Sequence, residues 1–496
     1  MTSTFKGLLA GVAMAIFALP AYSRDITIDL AGEPSSLDPH VQWNPDSYYV
    51  YRNVFDNLVT RNNSGEIVPQ IATAWDQISE TELVLTIREG VSFHDGEALE
   101  PSDVVYSVKR ITNPDFASPQ LGQFNQIIGA EVLDGNKVKL TTNGPYPALM
   151  AQLVKLSIVP EHVVEALGKE AFNAAPLGSG PYKFEEWNRG ISVTLARHDT
   201  YWGDSGVFEH AIFRAVPDAA TRLADLQAGT ADLVVSIDAD AAAQLEGNPE
   251  VKALSAPTER VGYVGLNLDK PPFNDVNMRK AASLAIDRLG ITEGLLQAGE
   301  VPMAQMASPA HFGYNPDLPL FDYDPETARK ITGENPDLAQ TPATLATAPV
   351  FDQRIVQAVQ QMLNDAGFNI SISMTDMPTY LNIVRSDPAD NSELSFGRWS
   401  CACQDADGIS YPTLHSDSLW SRVNVPELDA LLEKARVSLD PEVRQAAYNE
   451  VSEIVRENYY LLPMYQAAVL YGAAAELQFE PTANESMFLN RMSIAE

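Results

Sequence analysis

Hydrophobic positions along this chain recur with two periods, and stretches of each period alternate. Residues 82–88, ELVLTIR, form a short apolar run of alternating character that ends in the turn Arg88-Glu89-Gly90, which predicts a strand. Pro101-Ser102-Asp103 opens a stretch in which Val104, Val105 and Val108 recur at helical spacing, and Asp103 is the expected cap. Residues 261–268, VGYVGLNL, predict a strand that runs into a turn at Pro271-Pro272. Ala281, Ala282, Ala285 and Ile286 lie at core spacing in a helix over 278–288. Another helix is predicted over 352–366, closed by Gly367 and followed by a strand over 369–373. Two further helices are expected over 426–437 and 441–458. Interleaved strands and helices of this kind predict an α/β chain whose sheets are mostly covered. No short repeat, low-complexity tract or long linker interrupts them.

The N-terminus departs from that pattern. Lys6 precedes an apolar run from Gly7 to Leu19, and the small-residue exit Ala21-Tyr22-Ser23 follows. This is the layout of a signal peptide, with cleavage expected near Ser23. The run is shorter than the roughly 20 residues that span a bilayer. No cysteine stands at the exit to take a lipid, and no later segment is apolar enough to cross a membrane. An exported, soluble mature protein is expected.

Composition narrows the classes of function. With 66 acidic residues against 33 basic ones the formal net charge is −33, which repels nucleic acid and anionic lipid and excludes binding modes that neutralise phosphates. At 496 residues the chain exceeds what one core supports, so two or three domains are expected. No nucleophile elbow, phosphate loop, dinucleotide fingerprint or zinc motif occurs. The chain is not expected to be an enzyme or to carry a cofactor.

Several blocks taken together resemble the extracytoplasmic solute-binding proteins of peptide-type ABC importers, the dipeptide, oligopeptide and nickel family. They are EPSSLDPH at 33–40, VFDNLVTRNNSGEIVPQIATAW at 54–75 and LTIREGVSFHDGEALEPSDVVYSVKR at 85–110. PLGSGPYKFEEW at 176–187, YW at 201–202, LNLDKPPFNDVNMRKAASLAIDR at 266–288, YPTLHSD at 411–417 and LPMY at 462–465 complete the series. The glycines of GSGPY and the HDG turn are read as serving backbone geometry, and His94 and His415 as packed or capping residues. The resemblance implies a two-lobed clamshell with an extra third domain. Lobe I would comprise 24–43, 179–265 and 466–496, the extra domain 44–178, and lobe II 266–465, with hinge crossings near 265 and 465. It further implies a periplasmic receptor, expected to be monomeric, that closes on a peptide or peptide-like solute and delivers it to a membrane permease and its ATPase. A sensor for a membrane receptor, or import of an opine, sugar acid or metal chelate, are alternatives that share this fold.

Residues 398–408, RWSCACQDADG, carry both cysteines of the chain. In peptide-binding relatives an aspartate that pairs with the α-ammonium falls where this chain has Ala402, with Asp405 and Asp407 matching acids further on. Either could take over that role from the adjacent turn. Arg398 and Arg385 are candidates for gripping a carboxylate through two parallel hydrogen bonds, and Trp399 for an apolar wall. Trp43 and Tyr263 match positions that face the cleft in relatives. Cys401 and Cys403 are expected to form a disulfide, which requires a turn at Ala402 and suits an oxidising compartment. A metal site joining both thiolates to His415 or Asp405 is the alternative. With seven histidines, none closely paired, no metal is expected.

Overall fold

The structure is a computed structural model that describes residues 24–41 and 44–495. Residues 1–23, with the expected export signal, lie outside the described residues, as does the candidate cleft residue Trp43.

One mixed sheet of eleven strands runs through the molecule. At its centre Val251–Leu266 and Leu461–Ala474, of 16 and 14 residues, pair antiparallel. To one side lie Leu233–Val235, Arg24–Leu30 and Phe208–Ala215, then the antiparallel strands Ser192–Arg197 and Tyr182–Asn188. To the other lie Leu394–Trp399, Pro342–Thr347 and Asn369–Met374. The strand predicted from Val261 is thus the second half of a much longer one. Its burial is irregular: Leu254 packs against one core from the side, while Val264 and Leu266 are buried in another.

In the first core, Ile26, Ile28, Leu30 and Phe213 pack beneath the helix Pro45–Val54. In the second, Val264 and Leu266 meet the helices Val276–Ala285 and Gln353–Asp365. The strand Leu461–Ala474 gives Leu462 and Met464 to the second core and Tyr471 and Ala473 to the first. Between the cores the register of the long pair slips twice, from Pro257 to Val261 and from Gly262 to Tyr263. Such bulges bend a strand and re-aim its side chains.

A separate antiparallel sheet holds Ala72–Ser79, Glu82–Ile87, Lys137–Thr142 and Ile127–Leu133, in that order. Its core draws on residues between Leu58 and Ile158, and Val104 and Val108 of the helix Pro101–Thr112 are buried in it. That helix is capped one turn earlier than expected. Glu100 is the N-cap, and Asp103, three residues in, accepts the Glu100 N–H at 2.9 Å. The reciprocal pair satisfies two otherwise orphaned donors, which a single cap at Asp103 does not. The helices Pro426–Val437 and Pro441–Asn458 run over the expected residues and form a further apolar cluster with Met303, Met306 and Ile409.

The segment Gly178-Ser179-Gly180 ties the small sheet unit to the first core. A Cβ on Gly178 would lie 2.1 Å from the Val54 carbonyl oxygen, and the Gly180 N–H donates to that oxygen at 2.9 Å. Beside it, buried Asp56 accepts hydrogen bonds from Tyr201 at 2.7 Å and from Trp202 and Ser179 at 3.0 Å. His94 stands against Gly180 O at 3.0 Å and edge-on to His198. These residues serve the seam between units.

Candidate functional site

The strand Leu394–Trp399 ends where the two lobes and the small sheet unit meet. Side chains alternate across a strand, and two cavities flank this one. The first, about 370 Å³, is lined by Arg398, by Glu259 and Arg260 from the slipped segment of the long strand, by Tyr48 and by Glu485. The second, about 490 Å³, has Trp399, Tyr411, Trp420 and Arg436 on one wall and Tyr146 and Lys155 on the other. Ser400 and Ala402 line both. Each is in the size range of small-molecule sites.

Charge dominates the first cavity. Arg260 ion-pairs with Glu485 at 2.9 Å, and the Tyr49 hydroxyl donates to the other Glu485 oxygen at 3.3 Å. Glu259 accepts the Ser400 hydroxyl on Oε1 at 2.7 Å, and burial raises its carboxyl above the usual carboxylate range. The Arg398 guanidinium has no hydrogen bond or ion pair among the described residues. Desolvation within the cleft, then the neighbouring Arg260 guanidinium, holds its pKa below the ordinary arginine value.

Rings dominate the second. Trp399 and Trp420 meet edge to face at 5.1 Å, and the Arg436 guanidinium lies 3.9 Å from the Tyr411 ring centre. Asp407 is buried on this wall, 3.4 Å from Arg436, and burial pushes its carboxyl up to about 6 against that pull. Burial lowers Lys155 to about 7, and its ammonium donates to Gln123.

The loop between the cavities is held from several sides. A disulfide joins Cys401 to Cys403, with Cα atoms 5.1 Å apart, and Gln404 takes a left-handed φ of 54° where the turn closes. Arg61 donates to Cys403 O at 2.5 Å, and Ile67 and Ala151 of the small sheet unit cover the sulfurs. The Trp399 indole donates to Gly408 O at 2.9 Å, and a Cβ on Gly408 would lie 2.2 Å from the Cys401 sulfur. Only glycine fits there. Titration of the denatured, unreduced protein is expected to find no free thiol. The double substitution Cys401→Ser, Cys403→Ser is expected to cost less than about 2 kcal/mol, because so short a loop has little entropy to lose. Chemical denaturation measures that cost; a larger one would mean that the bridge supports the fold as a whole.

The candidate residues do not converge on one site. Arg398 faces the first cavity, while Trp399 and Asp407 line the second. Asp405 lines neither. It is buried and ion-paired with Arg444 at 2.7 Å, and it accepts the Asp407 N–H at 3.0 Å. Arg385 lies with its guanidinium 3.9 Å from the Trp420 ring centre, behind the cavity wall. Tyr263 lies over Gly397 and lines a cavity of about 30 Å³ with Arg422 and Tyr380; burial pushes its hydroxyl up to about 12. His415 stacks on Tyr411 at 4.2 Å. Among the described residues no group of three or more His, Cys, Asp or Glu side chains is placed to hold a metal ion, and both sulfurs are in the disulfide. Sequence reasoning missed Glu259, Arg260, Lys155 and Arg436. The adjacent acid and base Glu259-Arg260, just before the apolar run that starts at Val261, were the one signal available.

Two lobes bridged by two long strands, with a walled cleft between them, define a receptor that encloses a small solute. Residues 66–420 match the profile of the bacterial extracellular solute-binding proteins, family 5. The chain belongs to that family. It is 26% identical over 473 residues to heme-binding protein A of Haemophilus influenzae, covering 88% of this chain and 85% of that protein. It is also 26% identical over 482 residues to the glutathione-binding protein GsiB of Salmonella paratyphi A, covering 93% of each. The fold matches the periplasmic binding protein DppA of Helicobacter pylori in complex with the peptide STSA, with a TM-score of 0.80 at 21% identity over 96% of this chain and 98% of that one. Among the described residues no helix is long and apolar enough to cross a membrane.

Proposed function

We propose that the protein is the periplasmic substrate-binding component of an ABC importer. In this reading it captures a peptide or peptide-like small polar solute between its lobes and hands it, chemically unaltered, to a membrane permease. The observation that carries the reading is the unanswered guanidinium of Arg398, displayed on a cavity wall at the meeting of the lobes. A guanidinium in that position suits a carboxylate, which accepts two parallel hydrogen bonds from it. The rings of the second cavity suit the body of the solute, with Trp399 as its wall. Glutathione binding by one relative and the peptide held in the Helicobacter pylori structure support the class.

Closure follows if the solute touches both lobes better when they are shut, so that it shifts an existing equilibrium. The division into 24–43, 179–265 and 466–496, 44–178 and 266–465, export with cleavage near Ser23, and a monomeric state belong to the same reading. So does a ligand contact for Trp43. Mass spectrometry of solute retained through purification identifies the cargo. Dissociation constants of about 1 μM, roughly −8 kcal/mol, are expected, together with a smaller radius of gyration in X-ray scattering once solute is added. A solute library that never raises the melting temperature, or products of turnover in the tube, would overturn the reading.

A further inference from the structure

Glu259 stands at a point where the fold has interrupted its own regularity. The register between the long strands slips from Pro257 to Val261, and Glu259 lies inside the slip. Its backbone N–H turns instead to Ala483 O at 3.1 Å, and Gln466 reaches the neighbouring Thr258 O at 2.7 Å. A bulge of this kind redirects a side chain that a regular strand would have committed elsewhere. Here a carboxylate that is only 2% exposed forms part of the wall of the first cavity. Ser400 fixes its Oε1, and its Oε2 has no partner among the described residues.

The charges around it sharpen the point. Arg260 and Glu485 answer each other. Lys155, another cation in electrostatic reach, lines the second cavity and donates to Gln123. Ala402 lines the first cavity without a charge. What remains there is one carboxylate oxygen and one guanidinium, Arg398, which feel each other's charge but form no close ion pair among the described residues. A buried carboxylate oxygen with no hydrogen-bond donor carries an unrelieved desolvation cost, and a cationic donor delivered by a ligand offsets it. A neutral sugar would leave both charges unanswered, and a simple dicarboxylate would set an anion against Glu259.

We infer that Glu259 is the anionic anchor of the cleft: its Oε2 receives the protonated nitrogen of an amine-bearing acid whose carboxylate meets Arg398. The inference rests on the solute-binding reading and specifies its cargo as zwitterionic. The nitrogen is either a peptide's terminal ammonium or a secondary amine within an N-substituted amino acid.

The test uses the mature protein and titration calorimetry. The probes are tripeptides and glutathione, each beside its N-acetyl counterpart, and an N-carboxyalkyl amino acid that carries a secondary amine. At least one amine-bearing probe is expected to bind. Acetylation of its nitrogen is expected to weaken binding by about 100-fold, the loss of a desolvated charge pair. Glu259→Gln, which keeps the shape and removes the charge, is expected to weaken the same probe by at least about 30-fold without lowering the melting temperature. Ala402→Asp, added to Glu259→Gln, is expected to restore about tenfold by supplying a carboxylate to the same cavity.

A terminal-ammonium probe and a secondary-amine probe that bind unequally identify the source of the nitrogen. Equal binding of acetylated and free probes would overturn the inference. So would Glu259→Gln affinity within about threefold of the parent, or binding confined to uncharged or doubly acidic solutes. Those results leave solute capture standing, whereas failure to bind any solute removes both. If Glu259→Gln does not fold, the acetylation comparison on the unaltered protein decides.

Discussion

Arg398→Ala is expected to weaken solute binding by about 10- to 100-fold, the value of one charge-assisted hydrogen bond or a bidentate pair. Its unfolding free energy is expected to stay within about 0.5 kcal/mol of the parent. The two numbers differ because this guanidinium is exposed to the cavity and has no ion-pair partner among the described residues, so removing it strands no charge there. Arg398→Lys is expected to fall between the two, since an ammonium keeps the charge and loses the planar two-donor fork. Calorimetry with the retained solute, paired with urea denaturation, separates affinity from stability. Unchanged affinity in Arg398→Ala would place the residue outside the site.

Asp405→Ala is expected to show the opposite signature, losing about 3–5 kcal/mol of stability. Its carboxylate is buried against Arg444, whose side chain is 6% exposed and also donates to Ala435 O at 3.0 Å. Removing the acid leaves that guanidinium charged, desolvated and unpaired. The Phe312 ring, with its centre 4.6 Å from the guanidinium, recovers only a small part of the loss. Replacing both partners by apolar residues of similar volume, Asp405→Leu with Arg444→Met, is expected to recover most of it. The measurement is the denaturation midpoint at constant slope. A stable Asp405→Ala protein with sharply weakened binding would return Asp405 to the list of ligand contacts.

These two residues stand seven positions apart in one segment, and nothing local distinguishes their roles. Both are charged, and both lie in the cluster around the cysteines. Asp405 is committed by Arg444, 39 residues later on the helix Pro441–Asn458. That partner is unreadable from spacing. Arg385 likewise looked like a gripping cation until Trp420 came to lie beneath it. Glu259 lies outside the apolar pattern of its strand, which starts at Val261, past the point where the register breaks.

Spacing along the chain was enough to place helices such as Pro426–Val437 and Pro441–Asn458, because a buried face leaves a periodic trace that depends only on neighbours. The clamshell class came from the resemblance of whole blocks to the family, and periodicity alone reached no further than an α/β chain. Which charges are held by the protein and which are left for a guest depended on surfaces brought together from distant parts of the chain. Electrostatic partnership is a property of distance and burial in space, and one slipped register or one docked helix reassigns it without altering a single local pattern.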